Sequence, residues 1–422
     1  MKKKWKIAVI GIGYVGLPLI LGLAKKYNVI GYDINNHRIE TLKKKIDINK
    51  ENIISKNKNL YFTNKIDQTN GCNIYIITVP TPVNNKNKPD ITMLISATVA
   101  IAKVLKKKDI VIYESTVYPG LVEDICGKKI SKISGLKLNK DFFLGYSPER
   151  INPGDKLRPI HKIDKLISAS NKNTLKVLRE IYTSFIKAKV IDVPSIKIAE
   201  SAKIIENTQR DVNIALINEF SIIFDKLGID TEKVLSAAST KWNFIKGFKP
   251  GLVGGHCIGV DPYYLANKAI KLGVDPKVIL AGRKINDTMF KTIGQRILKI
   301  NSQVRKSKPN ILMFGITFKK NCSDIRNSQL IKLHSYLKER SSKLYVYDNL
   351  AYINEKIKKK NKIYLSKNLN FIKTIDIIII GVNHDYTKSI LKKILGKIHR
   401  KAFIFQIDRA IDTEKNIKIY NI

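Results

Sequence analysis

The sequence predicts an α/β fold in which two doubly wound parallel sheets are joined by a long central helix. In both halves of the 422 residues, short apolar runs of strand length alternate with helical patterns, as in parallel sheets covered by helices. Between the halves, one helical pattern runs from about Ile196 to Leu227. Pro194 precedes this pattern and Gly228 follows it, as helix boundaries favour. A chain of this length also exceeds one ordinary core, so several domains are expected.

The first half begins with a strand, a glycine-rich turn and a helix. We expect strands at Lys6–Ile10 and Val29–Asp33, with a helix from about Leu17 to Lys26 between them. Further strand-length apolar runs lie at Asn73–Val79, Asp109–Ser115, Phe142–Tyr146 and Leu166–Ser168. Together these elements predict an N-terminal Rossmann-like domain over residues 1–194.

The second half has more helix before its strands. Helices are expected at Thr231–Ala238 and Pro276–Gln295, and the segment Phe248–Tyr264 between them is rich in glycine and proline. Strand-length runs follow at Asn310–Phe314, Leu344–Asp348, Ile375–Gly381 and Phe403–Ile407. We therefore expect a central helical domain over residues 195–300 and a second Rossmann-like domain over residues 301–422.

The chain is strongly basic, with 77 Lys and Arg residues against 35 Asp and Glu residues and a formal net charge of +42. Such a charge would suit nucleic acid or an anionic membrane as the partner. However, the lysines are spread along the chain, and a positive field would equally favour two anionic small ligands. We therefore expect neither nucleic acid nor membrane as a partner. A basic nucleic-acid-binding protein stays open as a distant alternative, which a salt-dependent gel shift would reveal.

The four cysteines lie far apart and form no Cys-x-x-Cys pair (Cys72, Cys126, Cys257 and Cys322). A disulfide framework or a metal site is therefore not expected, and a reducing cytoplasm is the simplest location. The lysine-rich segment Met1–Lys4 resembles the start of a secretory signal, but Lys25 and Lys26 follow where a small-residue cleavage site would be needed. No run approaches the ~18 apolar residues of a membrane span.

The glycine turn Gly11–Gly16 has the GxGxxG pattern between a strand and a helix. Gly11 permits the tight turn, Gly13 lets the backbone approach a pyrophosphate, and Gly16 allows close packing of helix on strand. The N-terminus of the helix then offers free N–H groups to phosphates. Asp33, about twenty residues on, would accept hydrogen bonds from the adenosine ribose and repel a 2′-phosphate, which favours NAD over NADP.

Two other segments contain polar residues that could take part in catalysis. Lys203, Asn207 and Arg210 lie on one stripe of the central helix, although such a stripe is more often a solvated face. Cys257 lies in the glycine-rich segment Pro250–Pro262, beside His256 and four residues before Asp261. A lone cysteine is usually an inert small hydrophobe, but one in a cationic, polar setting can be a nucleophile. The spacing alone leaves both alternatives open.

Several long motifs occur along nearly the whole chain in a characteristic order. They are GIGYVG at Gly11–Gly16, VPTP at Val79–Pro82, YEST at Tyr113–Thr116, SPERINPG at Ser147–Gly154, AESAKIIENTQRDVNIALINE at Ala199–Glu219, GGHCIGVDP at Gly254–Pro262 and FGITFKKNCSDIRNS at Phe314–Ser328. With these motifs the chain resembles the UDP-glucose/GDP-mannose dehydrogenase family.

The resemblance implies an NAD-dependent four-electron oxidation of the C6 alcohol of a UDP-sugar to the uronate. Cys257 would attack the aldehyde formed first, and the thiohemiacetal would be oxidised to a thioester that water hydrolyses. A hydroxyacid dehydrogenase of similar layout is the alternative among enzymes; it would release one NADH and would not need Cys257.

The loop around the cysteine also bears on the substrate. His256 and Val260 resemble the N-acetylhexosamine branch of the family, because UDP-glucose enzymes usually carry a lysine where this chain has Val260. UDP-N-acetylglucosamine is the expected substrate, with UDP-glucose, UDP-N-acetylgalactosamine and UDP-N-acetylmannosamine as alternatives. Surface polysaccharide is the expected destination of the product. The family also implies a homodimer, or a higher homo-oligomer, built on the central helix.

Motif positions imply the individual roles. The catalytic residues implied are Cys257, Lys203, Asn207, Asp261, Thr116 and Glu149. The NAD contacts implied are Gly11, Gly13, Tyr14, Val15, Gly16, Asp33, Thr81, Thr116 and Arg326. The residues implied to hold the UDP-sugar are Arg150, Ile151, Lys203, Asn207, Arg210, Lys241, Gly254 and Lys319. Among them, Lys203 would stabilise charge at the C6 oxygen, Asn207 would orient that oxygen or a water, and Asp261 would position the hydrolytic water.

Overall fold

The computed structural model describes residues 5–48, 52–151, 157–255, 257–305, 307–353, 355–361, 363, 365–366, 368–412 and 417–422. The sequence interpretations that concern Met1–Lys4, His256 and the end of the SPERINPG motif lie outside these residues. The chain forms two compact units, the first comprising Met1–Asn207 with Tyr263–Asp275 and the second Thr208–Pro262 with Pro276–Ile422. The three sequence-based domain boundaries stay a prediction.

The first unit is built on an eight-stranded sheet with the order β3-β2-β1-β4-β5-β6-β7-β8. Its strands are β1 Lys6–Ile10, β2 Asn28–Tyr32, β3 Leu60–Thr63, β4 Ile74–Ile77, β5 Ile110–Tyr113, β6 Phe143–Tyr146, β7 Lys165–Ala169 and β8 Val190–Asp192. Its helices are α1 Gly16–Leu23, α2 Asn36–Lys43, α3 Thr92–Val104, α4 Lys128–Ser134 and α5 Lys172–Thr183. The predicted doubly wound α/β architecture is confirmed.

The two faces of this sheet are covered by different helices, as the alternation of side chains along β1 shows. Ile7 and Val9 belong to an apolar cluster that includes residues of α1, α2 and α5. Ala8 and Ile10 belong to the cluster that includes residues of α3 and α4. Because successive side chains of a strand point to opposite faces, a run of buried apolar residues is what a strand between two helical layers requires.

One strand pair departs from the parallel sheet that the alternation of strands and helices predicts. Strand β7 runs antiparallel to β6, with Gly145 opposite Ala169 and Tyr146 opposite Ser168, and β8 is parallel to β7. Parallel neighbours need a crossover connection, usually a helix. In the described part of the connection between β6 and β7, the only helical element is the 3₁₀ turn Ile160–Lys162. The first residue of β7 therefore lies at the edge of the sheet where β6 ends.

The second unit contains a five-stranded parallel sheet with the order β10-β9-β11-β12-β13. Its strands are β9 Asn310–Phe314, β10 Lys343–Tyr347, β11 Ile377–Ile380, β12 Phe403–Gln406 and β13 Lys418–Asn421. The remaining helices of the chain are α6 Ile196–Leu227, α7 Thr231–Ala238, α8 Asp261–Lys271, α9 Lys277–Val304, α10 Gln329–Lys338, α11 Glu355–Asn361 and α12 Thr387–Leu395. The long helix α6 begins and ends at the residues that the sequence predicts. Among the described residues, no helix has the length and apolar character needed to cross a membrane.

Candidate active site

The glycine turn of the first unit has the geometry of a dinucleotide-binding turn. Gly11 has φ +91°, and a Cβ there would lie 2.9 Å from Val79 Cγ1. A Cβ on Gly16 would lie 2.0 Å from the Gly11 carbonyl oxygen, so only glycine lets α1 start this close to the turn. A Cβ on Gly13, by contrast, would meet no protein atom within 4 Å. Protein packing therefore requires Gly11 and Gly16, whereas the side of the turn at Gly13 is open for a pyrophosphate.

Asp33 is built into the same turn. One carboxylate oxygen accepts a hydrogen bond from the Ile12 N–H at 2.8 Å, and the other accepts from the Asn35 N–H at 2.9 Å. Arg38 makes a second connection to the turn. Its Nε donates to the Ile12 carbonyl at 2.9 Å, and its Nη1 pairs with Asp47 at 2.8 Å. Arg38 is only 7% exposed, so its side chain is used for contacts within the protein. This guanidinium is not available to the extra phosphate of NADP, consistent with the prediction of NAD.

The other sequence-predicted cofactor and water contacts of the first unit follow the carboxyl ends of successive strands. Thr81 follows β4, Thr116 follows β5 and Glu149 follows β6, and each is partly exposed. Ser115 Oγ donates to the Val79 carbonyl at 2.7 Å and so ties the segment after β5 to the segment after β4. Ligands of open α/β sheets bind at this edge, where the strand order reverses. The strand order reverses at β1, between β2 and β4.

A buried cluster of charged groups lies next to Glu149. Lys165 Nζ donates to Glu114 Oε2 at 2.7 Å, to Glu149 Oε2 at 3.1 Å and to the Pro148 carbonyl at 3.3 Å. Tyr182 donates its hydroxyl hydrogen to Glu114 Oε1 at 2.5 Å. Burial raises the pKa of Glu114 to about 7 in spite of the Lys165 ammonium. Burial would also raise the pKa of Glu149, but Lys165 and the hydrogen bonds outweigh it and hold that pKa below its usual value.

Arg150 and Ile151, predicted to hold the UDP-sugar, follow Glu149 directly. The Glu149 Oε1 atom accepts from the Arg150 N–H at 2.7 Å and from the Ile151 N–H at 2.5 Å. The Arg150 guanidinium forms an ion pair with Glu206 of α6 and donates to the Asp164 carbonyl at 3.3 Å. The side chain of Arg150 is thus used to attach this segment to α6.

Helix α6 presents the polar stripe that the sequence predicts. Lys203 is buried, Asn207 is partly exposed and Arg210 is exposed. One turn before Lys203, the buried carboxylate of Glu200 accepts from the backbone N–H groups of Gly120, at 2.6 Å, and Val122, at 2.9 Å. Burial raises the pKa of Glu200 to about 7. Glu200 thereby attaches the start of α6 to the segment that follows Thr116.

In the second unit, the loop that carries Cys257 is packed on the segment that follows β9. A Cβ on Gly254 would lie 2.9 Å from the Asn327 carbonyl oxygen, and one on Gly255 would lie 2.8 Å from the Phe318 ring. Asn327 Nδ2 donates to the Gly255 carbonyl at 3.2 Å. The Cys257 carbonyl accepts from the Asp261 N–H at 2.9 Å, so the cysteine lies one turn before α8. Close backbone packing therefore sets the position of the cysteine.

Cys257 differs from the other three cysteines in its exposure. All four cysteines lie in the described part of the chain and none forms a disulfide; Cys257 is partly exposed and the others are buried. Burial raises the pKa of Cys72 and of Cys126 to about 11, and it also raises the pKa of Cys322. These three thiols are poor nucleophiles at neutral pH because the thiolate is the reactive form.

Buried polar residues attach the cysteine loop to α6 and α9. Asn218 of α6 accepts from the Gly251 N–H at 2.8 Å and donates to the Gly251 carbonyl at 3.0 Å. Asp211, the neighbour of Arg210, pairs with Arg283 of α9 at 2.6 Å, and both are buried. A Cβ on Gly259 would lie 3.7 Å from the Arg283 guanidinium. The loop thus rests on helices held together by a buried ion pair.

The remaining predicted site residues of the second unit differ in their exposure to solvent. Lys241 is exposed and Lys319 is partly exposed; the Lys319 ammonium lies 5.9 Å from the centre of the Phe318 ring. Arg326 is exposed and pairs with Asp324 at 2.6 Å. Asp261, at the start of α8, is only 1% exposed. No group of three or more potential metal ligands occurs among the described residues.

Sequence reasoning did not identify the residues that support these groups. Glu114, Lys165 and Glu200 are buried charges, and Arg38 and Arg283 are buried guanidinium groups. The available signal was a charged residue directly beside a buried apolar run, as Glu114 follows VIY and Lys165 precedes LIS. Such a residue needs a buried partner, but the sequence does not say which one.

Known protein families match this chain along most of its length. Three sequence profiles of the UDP-glucose/GDP-mannose dehydrogenase family match: its NAD binding domain at residues 5–186, its central domain at 197–288 and its UDP binding domain at 312–413. The NAD binding profile contains the glycine turn, the central profile contains Lys203 and Cys257, and the UDP binding profile contains Lys319.

Individual relatives agree with the profiles. The chain is 48% identical over 348 residues to the UDP-N-acetyl-D-glucosamine 6-dehydrogenase of Salmonella typhi, covering 81% of this chain and 82% of that protein. It is 45% identical over 418 residues to protein CapL of Staphylococcus aureus, with 97% of each covered. The solved structure of a UDP-D-ManNAc dehydrogenase from Pyrococcus horikoshii superposes with a TM-score of 0.85 at 26% identity, covering 99% of both chains. The chain therefore uses NAD as its cofactor and belongs to the UDP-glucose/GDP-mannose dehydrogenase family.

Proposed function

We propose that this protein oxidises the C6 alcohol of UDP-N-acetylglucosamine to the carboxylate, with Cys257 as the covalent nucleophile. The observation that carries the proposal is the partly exposed thiol in a glycine-rich loop packed on the segment of Lys319, in a chain whose other cysteines are buried. The identity of 48% to the Salmonella typhi UDP-N-acetyl-D-glucosamine 6-dehydrogenase supports the choice of sugar.

The reaction divides into two oxidations and one hydrolysis. NAD supplies the chemistry of a hydride acceptor when bound, and two equivalents balance four electrons. After the alcohol becomes an aldehyde, the Cys257 thiolate forms a C–S bond to C6. Loss of a second hydride from C6 turns this thiohemiacetal into a thioester, and water then breaks the C–S bond and regenerates the thiolate. Covalent attachment prevents the aldehyde from leaving between the two oxidations.

The chain's own residues supply charge, orientation and water in this scheme. The Lys203 ammonium stabilises negative charge on the C6 oxygen, and Asn207 orients that oxygen or a water. Asp261 positions the hydrolytic water, and Thr116 and Glu149 complete the surroundings of water and cofactor. Removal of Lys203 from solvent strengthens its effect, since the residue is 6% exposed.

The family motifs assign residues to the two anionic ligands. The residues proposed to contact NAD are Gly11, Gly13, Tyr14, Val15, Gly16, Asp33, Thr81, Thr116 and Arg326. The residues proposed to hold the UDP-sugar are Arg150, Ile151, Lys203, Asn207, Arg210, Lys241, Gly254 and Lys319. Since the Arg150 guanidinium pairs with Glu206, we assign the contribution of Arg150 to its backbone.

The choice of sugar has alternatives within the same chemistry. Val260 stands where UDP-glucose enzymes of the family usually carry a lysine, and this resemblance to the N-acetylhexosamine branch favours an N-acetylhexosamine over glucose. UDP-N-acetylmannosamine is the principal alternative, because that sugar is named for a relative that is 32% identical over 98% of this chain. UDP-N-acetylgalactosamine and UDP-glucose complete the set. We place the reaction in the cytoplasm, as a step that supplies a uronate for surface polysaccharide.

The experiment that tests this function measures NADH released per sugar with a panel of UDP-sugars and NAD. We expect two NADH for each UDP-N-acetylglucosamine and a carboxylate as the product. One NADH with release of the aldehyde would contradict the mechanism and favour a simple alcohol dehydrogenase. Turnover of only another UDP-sugar would keep the mechanism and change the substrate.

We also propose a homodimer formed through helix α6. Exposed apolar residues recur along this helix at Ile198, Ile205, Leu216, Ile223 and Leu227. At about 100° per residue they fall within roughly 40° of one another on the helix circumference. Lys203, Asn207 and Arg210 fall on roughly the opposite side. An apolar stripe of this length on a helix suits the same stripe of a second copy.

A further inference from the structure

Lys165 is a buried cation, and a charged side chain is rarely buried unless partners compensate for the loss of water. It is 2% exposed, and its ammonium group donates to Glu114, Glu149 and the Pro148 carbonyl at the distances given above. An ammonium group has three donors, so these three acceptors satisfy it completely. Burying a charged group without such partners is strongly unfavourable, and even a paired buried charge rarely adds stability over apolar residues of similar size. The cluster therefore points to a task other than stability.

The antiparallel strand β7 is what brings Lys165 to this place. Tyr146 of β6 is opposite Ser168 of β7. Continuing this register three residues past the end of β6 places Glu149 opposite Lys165. In a parallel arrangement the first residue of β7 would instead lie at the other edge of the sheet, away from Glu149.

Lys165 acts on the segment Glu149–Ile151 through the Glu149 carboxylate. One oxygen of this carboxylate faces the ammonium group, and the other accepts the N–H groups of Arg150 and Ile151. The carboxylate thus fixes two successive backbone N–H groups. It accepts these N–H groups most strongly when it is ionised and correctly rotated, and the ammonium group favours both conditions.

Glu114 and Tyr182 fix the position of the Lys165 ammonium group. Glu114, which follows β5, is 1% exposed, and Tyr182 of α5 donates its hydroxyl to this carboxylate. Two carboxylates share a single ammonium group here. The pKa of Glu149 is lowered and that of Glu114 is raised, so Glu114 is the one that takes up a proton on acidification.

We propose that Lys165 is a positioning residue for the sugar-nucleotide site: it holds the Glu149 carboxylate, which shapes the backbone of Arg150 and Ile151, and Glu114 anchors Lys165. The relevance to substrate binding rests on the proposed function, which assigns Arg150 and Ile151 to the UDP-sugar. The effect on the backbone does not depend on that assignment.

Amide hydrogen exchange and steady-state kinetics test the two parts separately. In Lys165→Met we expect the amides of Arg150 and Ile151 to exchange about tenfold faster or more, while peptides from the glycine turn keep their protection. We expect the KM for UDP-N-acetylglucosamine to rise about tenfold, with the KM for NAD changed by less than about twofold. Lys165→Arg, which retains the charge, should restore most of both properties.

Further variants test the same proposal if Lys165→Met does not fold. The double variant Glu114→Gln/Lys165→Met leaves no unpaired carboxylate at position 114, and Glu149→Gln leaves the Glu114–Lys165 pair intact. Both should loosen the same two amides. Lys162→Met, at an exposed lysine in the same connection, is the control and should change nothing.

The outcomes separate the two hypotheses. Wild-type exchange at Arg150 and Ile151 in the folded Lys165 or Glu149 variants would overturn the positioning role. Faster exchange in the variants, combined with a wild-type protein that does not turn over UDP-N-acetylglucosamine, would retain the positioning role and reject the proposed substrate. An equal rise of both KM values would show a general loss of structure and would also overturn the proposal.

Discussion

At the scale of single residues, burial separates reactive groups from supporting groups. Cys257 is partly exposed, whereas Cys72, Cys126 and Cys322 are buried thiols with raised pKa values. Glu200 is a supporting group of the opposite kind, because its carboxylate is buried and yet accepts two backbone hydrogen bonds. Desolvation therefore makes the three buried thiols inert and also raises the pKa of the buried carboxyl groups of Glu114 and Glu200 to about 7.

Cys257→Ser should stop the reaction after the aldehyde or greatly slow the second oxidation. A serine hydroxyl is far less nucleophilic than a thiolate, so the covalent intermediate would not form at a useful rate. We expect a loss of uronate formation of about a hundredfold or more, measured as product per enzyme by mass spectrometry. Cys72→Ala is the matched control and should retain the wild-type yield. A normal yield of uronate from Cys257→Ser would remove the cysteine from its role.

Glu200 should make stability depend on pH in a predictable direction. Its pKa in the folded protein is raised to about 7, above the 4.5 of an unperturbed glutamate. Its contribution to the unfolding free energy is therefore fully present below about pH 4.5 and is lost as the pH rises through about 7. The glutamine in Glu200→Gln cannot ionise. The unfolding free energy of this variant should therefore rise relative to that of the wild type as the pH increases from 5 to 8. Chemical unfolding at several pH values measures this.

The control for the pH effect is Glu219→Gln, which alters an exposed glutamate of the same helix. Its difference from the wild type should stay constant over the pH range. The prediction fails if the difference between wild type and Glu200→Gln is equally independent of pH.

At the scale of elements, strand ends and helix starts determine where ligands can bind. The turn Gly11–Gly16 connects β1 to α1 and is locked by Asp33 and Arg38. The Cys257 loop connects the central helices to α8 and is packed on Phe318 and Asn327. Both segments are loops held by rigid elements, which is the arrangement in which binding and catalysis are usually found.

The glycines of the first turn offer a matched pair of substitutions. Gly16→Ala puts a Cβ 2.0 Å from the Gly11 carbonyl oxygen, so it should lower the thermal unfolding midpoint and weaken NAD binding. Gly13→Ala meets no protein atom within 4 Å, so it should unfold at the wild-type temperature and still bind NAD at least about tenfold more weakly. Calorimetry and NAD titration measure both effects. Normal NAD affinity in Gly13→Ala would contradict the assigned role of this glycine.

At the scale of the whole molecule, helix α6 contributes to both units and to the proposed dimer. Its polar stripe carries Lys203 and Asn207, and its exposed apolar stripe includes Leu216 and Ile223. The net charge of +42 is spread over the chain and suits anionic substrates in general. It therefore identifies neither nucleic acid nor any particular nucleotide sugar.

Charges placed on the apolar stripe should break the dimer. We expect the wild-type protein to sediment as a dimer and Leu216→Glu/Ile223→Glu to sediment as a monomer, because like charges would face each other in an apolar interface. Ile53→Glu, at a residue that is 94% exposed and not on α6, is the control and should remain dimeric. A wild-type protein that is monomeric at micromolar concentration, or a variant that is still dimeric, would contradict the interface.

The sequence by itself determined the class of the fold, the glycine turn, the limits of α6 and the family, because these depend on local patterns. Periodicity, turn residues and motif spacing are properties of neighbouring residues. Short strands with little apolar length, such as β8 and β13, gave no comparable signal.

Only the tertiary structure decided how the buried charges are paired. Lys165 meets Glu149 because β7 is antiparallel, and strand direction depends on the path of the connection rather than on the residues of the strand. Glu200 reaches the N–H groups of Gly120 and Val122, about eighty residues away in the chain. Partners so distant in sequence are selected by the packing of whole elements, so no local pattern can name them.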